Sequence, residues 1–306
     1  MNIHELIDNV MVRVGGMYGE SVKFFNKNVA SSTIRETIHS IQIPGLPDFS
    51  REGETELEAK WNETSIAARF MVTQWIGPGF PTIIFHHGSG DQPYFSRINK
   101  ILPPYKETEW CNIIATDSPF NRTRKEYLEA AGDLQKFVLI FALSTRLIES
   151  VVCILRRMAV PAVVVSGISL GGWITNLHHT YFNSADEYRP IFAGAAPDDL
   201  FLESAYARLS SKLLVENAEK VKRILNFEND FSKQDNGRVY PLLGLFDRYI
   251  RFNRQKIVYR PENISTIEKG HITGTAGRAK LRDHLLAGVT ASAASPRRGG
   301  AAPSPV

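Results

Sequence analysis

The pattern of apolar and polar residues divides this 306-residue chain into strands and helices that alternate along most of its length. From residue 56 to 75 apolar residues fall at every second position, which predicts a β-hairpin with one solvated face. Continuous apolar runs follow at 81–85, 111–115 and 163–166, and a long helical pattern covers 130–158. Buried strands separated by helices indicate a mostly parallel sheet with helices on both faces.

The same alternation continues to residue 289. Apolar runs at 190–196 and 239–246 predict two further strands, and 264–268 predicts a short one. A long helical stretch is predicted at 200–231, and a final helix at 277–289. The fold class predicted from the pattern is therefore α/β.

The two ends of the chain differ from this pattern. Residues 3–27 begin with apolar residues at helical spacing, namely Ile3, Leu6, Ile7, Val10, Met11 and Val14. This amphipathic segment lacks a Lys-rich polar face, so we expect it to dock on the protein's own core rather than on a membrane surface. Residues 41–48 form a proline-punctuated connector. Residues 290–306 are rich in Ala, Ser, Pro and Gly, which predicts a disordered tail.

Composition and charge exclude some classes of function. An apolar fraction of 43% and a charged fraction of 22% are those of an ordinary globular protein. The formal net charge is +4, and Arg297 and Arg298 in the predicted tail contribute to it. No basic residues cluster as they do in a nucleic-acid-binding face, so we expect no nucleic-acid partner.

The two cysteines and residues 1–10 indicate in which cellular compartment the protein is expected. Cys111 and Cys153 lie in apolar patterns, so we expect buried free thiols and a reducing compartment. Residues 1–10 carry acidic residues and do not resemble a signal peptide. No run approaches the eighteen apolar residues that span a bilayer. We therefore expect a cytoplasmic protein with no stable membrane insertion.

The segment 161–175, PAVVVSGISLGGWIT, contains the candidate nucleophile. A β-branched apolar strand runs directly into Gly-x-Ser-x-Gly, and helix-compatible residues follow. In this arrangement the serine occupies a strained strand-to-helix turn that exposes its Oγ atom above the sheet edge. Ser169 is therefore the predicted nucleophile, against the alternative of a glycine-rich turn with an incidental serine.

A serine hydroxyl needs a base to accept its proton. Four histidines follow Ser169 in the chain. His178 and His179 lie within the next predicted helix, and His284 lies in the final one. Only His271 follows a predicted strand directly, in a loop, so it is the predicted base.

A carboxylate must orient the base and stabilise its charged form. Asp247 directly follows the strand pattern 239–246 and precedes His271, with room for a crossover between them. It is the predicted acid, although an aspartate here would also suit a helix N-cap. Asp198 and Asp199 follow another strand pattern and remain the alternative.

Two backbone N–H groups must face the oxyanion that develops during acyl transfer. We predict that Leu170, directly after the nucleophile, supplies one and that Ser89, in the loop after the strand 81–85, supplies the other. His86 and His87 could instead be metal ligands, but they are adjacent and lack a matching cluster of other ligands. We therefore predict no metal site.

The ordered combination of these motifs resembles the α/β-hydrolase fold superfamily over residues 56–289. The resemblance implies a mostly parallel eight-stranded sheet, a Ser169–Asp247–His271 triad and an oxyanion hole from Ser89 and Leu170. It implies a domain at 51–289 with a helical cap inserted at about 198–237, preceded by a helical segment and connector at 1–50. It leaves the N-terminal segment unexplained.

The expected function is that of a serine hydrolase, similar to a carboxylesterase, acting on a small-molecule acyl substrate without a cofactor. Two alternatives remain. An acyltransferase or peptidase could use the same triad, and the fold could serve as a non-catalytic ligand-binding module. The apolar residues of the predicted cap could pack or line a pocket, so neither acyl chain length nor oligomeric state follows from the sequence.

Overall fold

The computed structural model describes residues 2–16, 19, 23–43, 45, 51–106 and 108–293. In this part of the chain the strands are β1 (Ile41–Gln42), β2 (Gly53–Trp61), β3 (Thr64–Gln74), β4 (Thr82–His86), β5 (Asn112–Thr116), β6 (Val163–Ile168), β7 (Glu187–Ile191), β8 (Leu242–Gly244) and β9 (Ser265–Ile267). They form one nine-stranded sheet in the order β1-β2-β3-β5-β4-β6-β7-β8-β9.

The helices surround this sheet. They are α1 (Ile3–Gly16), α2 (Ile34–Ser40), α3 (Ser96–Ile101), α4 (Arg124–Ala131), α5 (Leu134–Arg157), α6 (Leu170–Tyr181), α7 (Pro197–Leu202), α8 (Lys212–Glu216), α9 (Ala218–Leu225), α10 (Glu228–Phe231), α11 (Phe252–Gln255), α12 (His271–Thr275) and α13 (Arg278–Ala293).

The sheet is antiparallel at one edge and parallel elsewhere. β1, β2, β3 and β5 pair antiparallel, whereas β5, β4, β6, β7, β8 and β9 pair parallel. On β4, Ile84 belongs to the core that α5 and α6 cover, and Ile83 and Phe85 belong to the core that α3 and α13 cover. Burial on both faces explains why the central strands are continuous apolar runs. The predicted α/β-hydrolase architecture, with its mostly parallel sheet and helices on both faces, is confirmed.

The sheet has one more described strand than the eight predicted. The residues predicted as a connector at 41–48 begin with β1, which pairs antiparallel with β2 through Ile41 opposite Trp61. Ile41 is fully buried, so this short edge strand contributes to the core. Residues 44 and 46–48 of the predicted connector lie outside the described residues.

Most of the helix predicted at 130–158 is α5, and the first two residues of that range are the end of α4. α4 ends at Ala131, and α5 begins at Leu134. Between them, Asp133 caps α5, because its carboxylate accepts hydrogen bonds from the amides of Gln135 and Lys136. α5 is also the one helix in the described ranges that is long and apolar enough to cross a membrane, and 78% of its most apolar window is buried inside the fold.

The strand predicted at 190–196 lies at 187–191 instead. Its first residues are charged, and Glu187 and Arg189 form a buried ion pair. The apolar residues from Phe192 onward follow the strand, starting with a left-handed φ of 51° at Phe192. The charged residues of this buried ion pair made the first half of the strand resemble a polar loop in the sequence.

The single helix predicted at 200–231 is a series of short elements. α7 to α10 and a 3₁₀ turn at Ala205–Leu209 replace it. Ser204 and Ser211 each accept a backbone hydrogen bond that starts a new turn, from Tyr206 and Leu214 respectively. Serine caps therefore break a segment whose apolar spacing alone suggested continuity.

The N-terminal helix docks on the fold, but not through the apolar face that the spacing predicted. Asp8 and Val12 are the fully buried residues of α1. The exposed ones include most of the predicted apolar face: Ile3, Leu6, Val10, Met11 and Val14.

Two smaller expectations also need correction. Both cysteines are free, but only Cys111 is buried, while Cys153 is exposed on α5. α13 continues to Ala293, so residues 290–293 of the predicted disordered tail are helical. The remainder of that predicted tail, 294–306, lies outside the described residues.

Candidate active site

The turn between β6 and α6 places Ser169 in a strained backbone conformation. Its φ of 57° and ψ of −112° are rare for a residue with a side chain. The Ser169 amide donates to the carbonyl oxygen of Ile191 at 2.8 Å, which fixes the turn to β7. A Cβ atom at Gly171 would overlap the carbonyl oxygen of His86, so only glycine lets α6 pass this close to the end of β4.

Three predicted residues come together at the carboxyl ends of the strands. Ser169 Oγ lies 3.0 Å from His271 Nε2, and His271 Nδ1 lies 2.8 Å from Asp247 Oδ2. The other oxygen of Asp247 accepts hydrogen bonds from the amides of Tyr249 and Ile250, at 2.8 and 2.7 Å. These amides fix the carboxylate in the orientation that faces the imidazole. Such a chain can move a proton away from the serine hydroxyl.

The alternative acids lie elsewhere. Asp199 forms an ion pair with Arg251, and Asp198 accepts a hydrogen bond from Asn226 at 2.9 Å. Both contacts belong to the surroundings of α7 rather than to His271. The structure therefore brings Asp247, and neither of these two aspartates, to the imidazole.

The environment of His271 favours its charged form. Burial disfavours the imidazolium, but the nearby Asp247 carboxylate and its hydrogen bond outweigh that effect. Asp8 acts in the same direction and Arg97 opposes it, so the net result raises the pKa of His271 above its ordinary value of 6.5.

This shift gives a prediction for the dependence of activity on pH. A base must be neutral to accept the serine proton, so kcat/KM for a neutral ester should rise with pH through the raised pKa. We expect its half-maximal value above pH 6.5, the ordinary value of a histidine. The measurement is kcat/KM from about pH 5 to about pH 9 at constant ionic strength. A midpoint below the ordinary histidine value would contradict the assignment of His271.

The two residues predicted to face the oxyanion both belong to the surroundings of Ser169. Leu170 is the first residue of α6, where backbone N–H groups have no acceptor within the helix. Ser89 lines the same cavity as Ser169 and His271.

A polar brace holds the loop of Ser89. The amide of Gly88 donates to Asp91 Oδ2 at 3.1 Å. Arg97 binds the same carboxylate through two nitrogens, at 2.9 and 2.6 Å, and donates to the carbonyl oxygen of Thr275 at 3.1 Å. The brace therefore links the loop after β4 to α12, the helix that begins at His271. Sequence reasoning missed it, although an aspartate and an arginine six residues apart beside the His-Gly-Ser-Gly segment were a visible signal.

A cavity of about 300 Å³ opens at Ser169. Its wall is mostly apolar and comes from distant parts of the chain: Met11 and Val12 of α1, Phe24, Phe137, Ile168, Trp173, Leu200, Phe201, Tyr206, Leu209, Tyr249, Ile250 and Ile272. Leu200 and Phe201 belong to α7, within the predicted cap. The cavity can hold a small apolar group next to the serine hydroxyl.

Comparisons with known proteins give the fold. No family model matches the sequence, and no curated protein matches it. Among solved structures, an acylaminoacyl peptidase of Pyrococcus horikoshii superposes with a TM-score of 0.51 at 12% identity, over 80% of this chain and 42% of the peptidase. Acetyl xylan esterase 1 of Thermoanaerobacterium sp. JW/SL YS485 superposes with a TM-score of 0.50 at 15% identity, over 86% of this chain and 96% of the esterase. This chain has the α/β-hydrolase fold.

This chain therefore spans about two fifths of the peptidase but nearly the whole esterase. Both comparison proteins are α/β-hydrolase fold proteins, and at these identities the likeness concerns the fold alone.

The side chains of four other histidines contact residues other than the three candidate catalytic ones. His87 Nε2 lies 3.1 Å from Asp117, and the neighbouring His86 ring stacks on the His87 ring. His178 binds Glu149 at 3.0 Å, and His179 binds Asn236 at 2.7 Å, both on α6. Within the described ranges, no group of three or more His, Cys, Asp or Glu side chains is placed to hold a metal ion.

Proposed function

We propose that this protein is a serine hydrolase that cleaves a carboxylic ester or a related acyl substrate through an acyl-enzyme at Ser169. The continuous chain of hydrogen-bond distances from Ser169 through His271 to Asp247 carries the proposal. A binding module has no need of a serine, an imidazole and a carboxylate in this order, with the serine on a strained turn.

The reaction has two steps. His271 takes the proton of the Ser169 hydroxyl as Oγ attacks the acyl carbon, and the amides of Ser89 and Leu170 bind the oxygen that becomes negative. When the tetrahedral intermediate collapses, His271 gives that proton to the departing alcohol. A water molecule then attacks the acyl-enzyme and gives its proton to His271. As the bond between the acyl carbon and Ser169 Oγ breaks, His271 gives that proton to Oγ, which releases the acid and restores the Ser169 hydroxyl and the neutral imidazole.

The cavity supports a substrate with a small apolar group. Its volume of about 300 Å³ lies at the low end of the range for small-molecule sites. Since α7 and the 3₁₀ turn after it contribute Leu200, Phe201 and Leu209 to the wall, this region suits the role of a cap that selects substrates. The solved structures with this fold include a peptidase and an esterase, so an ester and the matching amide are the two substrates to compare.

A panel of acyl substrates tests the proposal. We expect hydrolysis of nitrophenyl esters, with kcat/KM rising as the acyl chain lengthens until the cavity is filled and then falling. Matching nitroanilides should react much more slowly. Comparable rates on the anilides would favour a peptidase, and transfer to an added alcohol in preference to water would favour an acyltransferase.

Two tryptophan variants test whether the cavity wall at α7 limits the length of the acyl chain. Leu200→Trp fills the cavity and should shift the preference to shorter esters by about 10-fold or more, which is the scale of one to three kcal/mol in a hydrophobic pocket. Leu202→Trp is the matched control, because Leu202 belongs to the same helix but lines a separate groove. If Leu202→Trp shifts the preference as much as Leu200→Trp does, this cavity is not the acyl site.

A further inference from the structure

The carboxylate of Asp8 on α1 makes three hydrogen bonds to the loops of the candidate site. Its Oδ2 atom accepts from the amides of Arg248 at 3.1 Å and His271 at 2.8 Å. Its Oδ1 atom accepts from the amide of Ile272 at 3.0 Å. Asp8 is fully buried, so these bonds form away from solvent. One side chain thus contacts the residue after Asp247 and the backbone of His271 itself.

Further contacts bind α1 to the same two loops. The Tyr249 hydroxyl donates to the backbone carbonyl of Asp8 at 3.0 Å, and the Tyr249 ring lies 5.0 Å from the His271 ring. At Gly270, a Cβ atom would lie 2.7 Å from Asp8 Oδ2 and 2.9 Å from the carbonyl oxygen of His4. The chain before His271 is therefore pressed against α1, and only glycine fits there.

Burying the Asp8 carboxylate costs free energy, which its hydrogen bonds to backbone amides offset in part. Burying a carboxylate disfavours its charged form, and burial raises the pKa of Asp8 even though the three amides act in the opposite direction. The nearby Asp247 carboxylate raises it further. An acid placed here at such a cost, and supplied by a helix that shows much of its apolar surface to solvent, points to a role beyond filling the core.

The hydrogen-bond distance between Asp247 and His271 depends on how their two segments of chain are held relative to each other. Asp247 lies in the loop after β8, and His271 begins α12 directly after the loop that follows β9; each of these strands has only three residues. We propose that Asp8 is a positioning residue, whose carboxylate joins the two loops and holds His271 at hydrogen-bond distance from both Asp247 and Ser169. This inference rests on the proposed function, and it assigns the N-terminal helix to the active site.

Three variants test this role. Asp8→Ala removes all three acceptors, and Asp8→Asn keeps the shape while losing one acceptor oxygen. Asn9→Ala is the matched control, because Asn9 is the next residue of α1 and its side chain donates only within the helix, to the carbonyl of Glu5 at 2.9 Å. We expect kcat for the best ester to fall about 100-fold in Asp8→Ala, the scale of a small misplacement of a catalytic group.

The loss should be smaller in Asp8→Asn and absent in Asn9→Ala, with KM nearly unchanged throughout. Active sites should be counted with a fluorophosphonate probe, so that kcat refers to folded, reactive molecules. An unchanged kcat per labelled site in both Asp8 variants would overturn the positioning role and leave the hydrolase standing. The Asn variant serves this test if the Ala variant does not fold.

Hydrogen exchange separates this inference from the proposed function. Backbone amides in peptides covering 247–250 and 270–273 should exchange faster in both Asp8 variants than in the parent, and at the parent's rate in Asn9→Ala. Unchanged protection would show that Asp8 does not hold these loops. If the parent hydrolyses no acyl substrate, the proposed function fails. Faster exchange in the Asp8 variants would then still support the inference that Asp8 holds these two segments together.

Discussion

Ser169→Ala is expected to lower kcat for ester hydrolysis by on the order of 10⁵ to 10⁶, because the variant has no oxygen to form the acyl-enzyme. His271 keeps its contact with Asp247, so the remaining machinery is intact but has nothing to activate. Alanine occupies the strained turn about as well as serine, and the variant should melt within a few degrees of the parent. Steady-state kinetics on the best ester and mass spectrometry after fluorophosphonate treatment give the answer.

A second serine, on the strand that leads into Ser169, provides the control. Ser166 lies three residues before Ser169 on β6, and its hydroxyl donates to the carbonyl oxygen of Arg189 at 2.5 Å. Ser166→Ala therefore removes a buried hydroxyl without touching the cavity, and should keep both labelling and turnover. Labelling of the Ser169→Ala protein, or ester turnover close to that of the parent, would reject Ser169 as the nucleophile.

Asp247→Asn is expected to lower kcat by about 10⁴, because an amide facing His271 Nδ1 favours the wrong tautomer and does not stabilise the imidazolium. Losing this carboxylate also removes the main influence that raises the pKa of His271. The midpoint of the pH profile should therefore move to lower pH in the residual activity. Kinetics across the pH range measure both effects in one variant.

The aspartates near α7 give the matched comparison. Asp199→Asn weakens an ion pair with Arg251, and Asp198→Asn changes a contact with Asn226, so both affect stability more than kcat. We expect each to keep most of the parent's turnover per folded molecule. A larger loss of kcat in either variant than in Asp247→Asn would move the acid to the end of β7.

The part of the fold near the predicted nucleophile could be predicted from the sequence, because a buried strand is marked by consecutive apolar residues. β6 is fully buried, so it begins with an unbroken run of three valines at 163–165, and the glycines around Ser169 mark the turn. The placement of Asp247 and His271 followed from topology, since the carboxyl ends of parallel strands meet at one edge of the sheet. The structure places His271 within hydrogen-bond distance of both Asp247 and Ser169.

The parts that were missed depend on partners far away in the chain. β7 reads as polar because the Glu187–Arg189 ion pair is satisfied inside the fold, partly by the carbonyl oxygen of His284. The contacts of Asp8 could not be predicted from the sequence. Its partners donate backbone N–H groups, which every non-proline residue has, so their side chains give no indication of the contact. The apolar spacing of α1 pointed to the wrong face for the same reason: a buried carboxylate, rather than an apolar stripe, decides how this helix docks.

The long separation between α1 and its partners has a consequence for biosynthesis. Asp8 precedes the amides of Arg248, His271 and Ile272 by 240, 263 and 264 residues. At about 5–20 residues per second, the ribosome needs roughly 13–50 s to cover that distance. A 14-residue helix is marginal on its own, so α1 waits for its docking site through most of translation. If Ser169, Asp247 and His271 act together as we propose, the nascent chain contains the serine well before the other two residues are made and α1 can dock, so activity would begin only late in the synthesis of the domain.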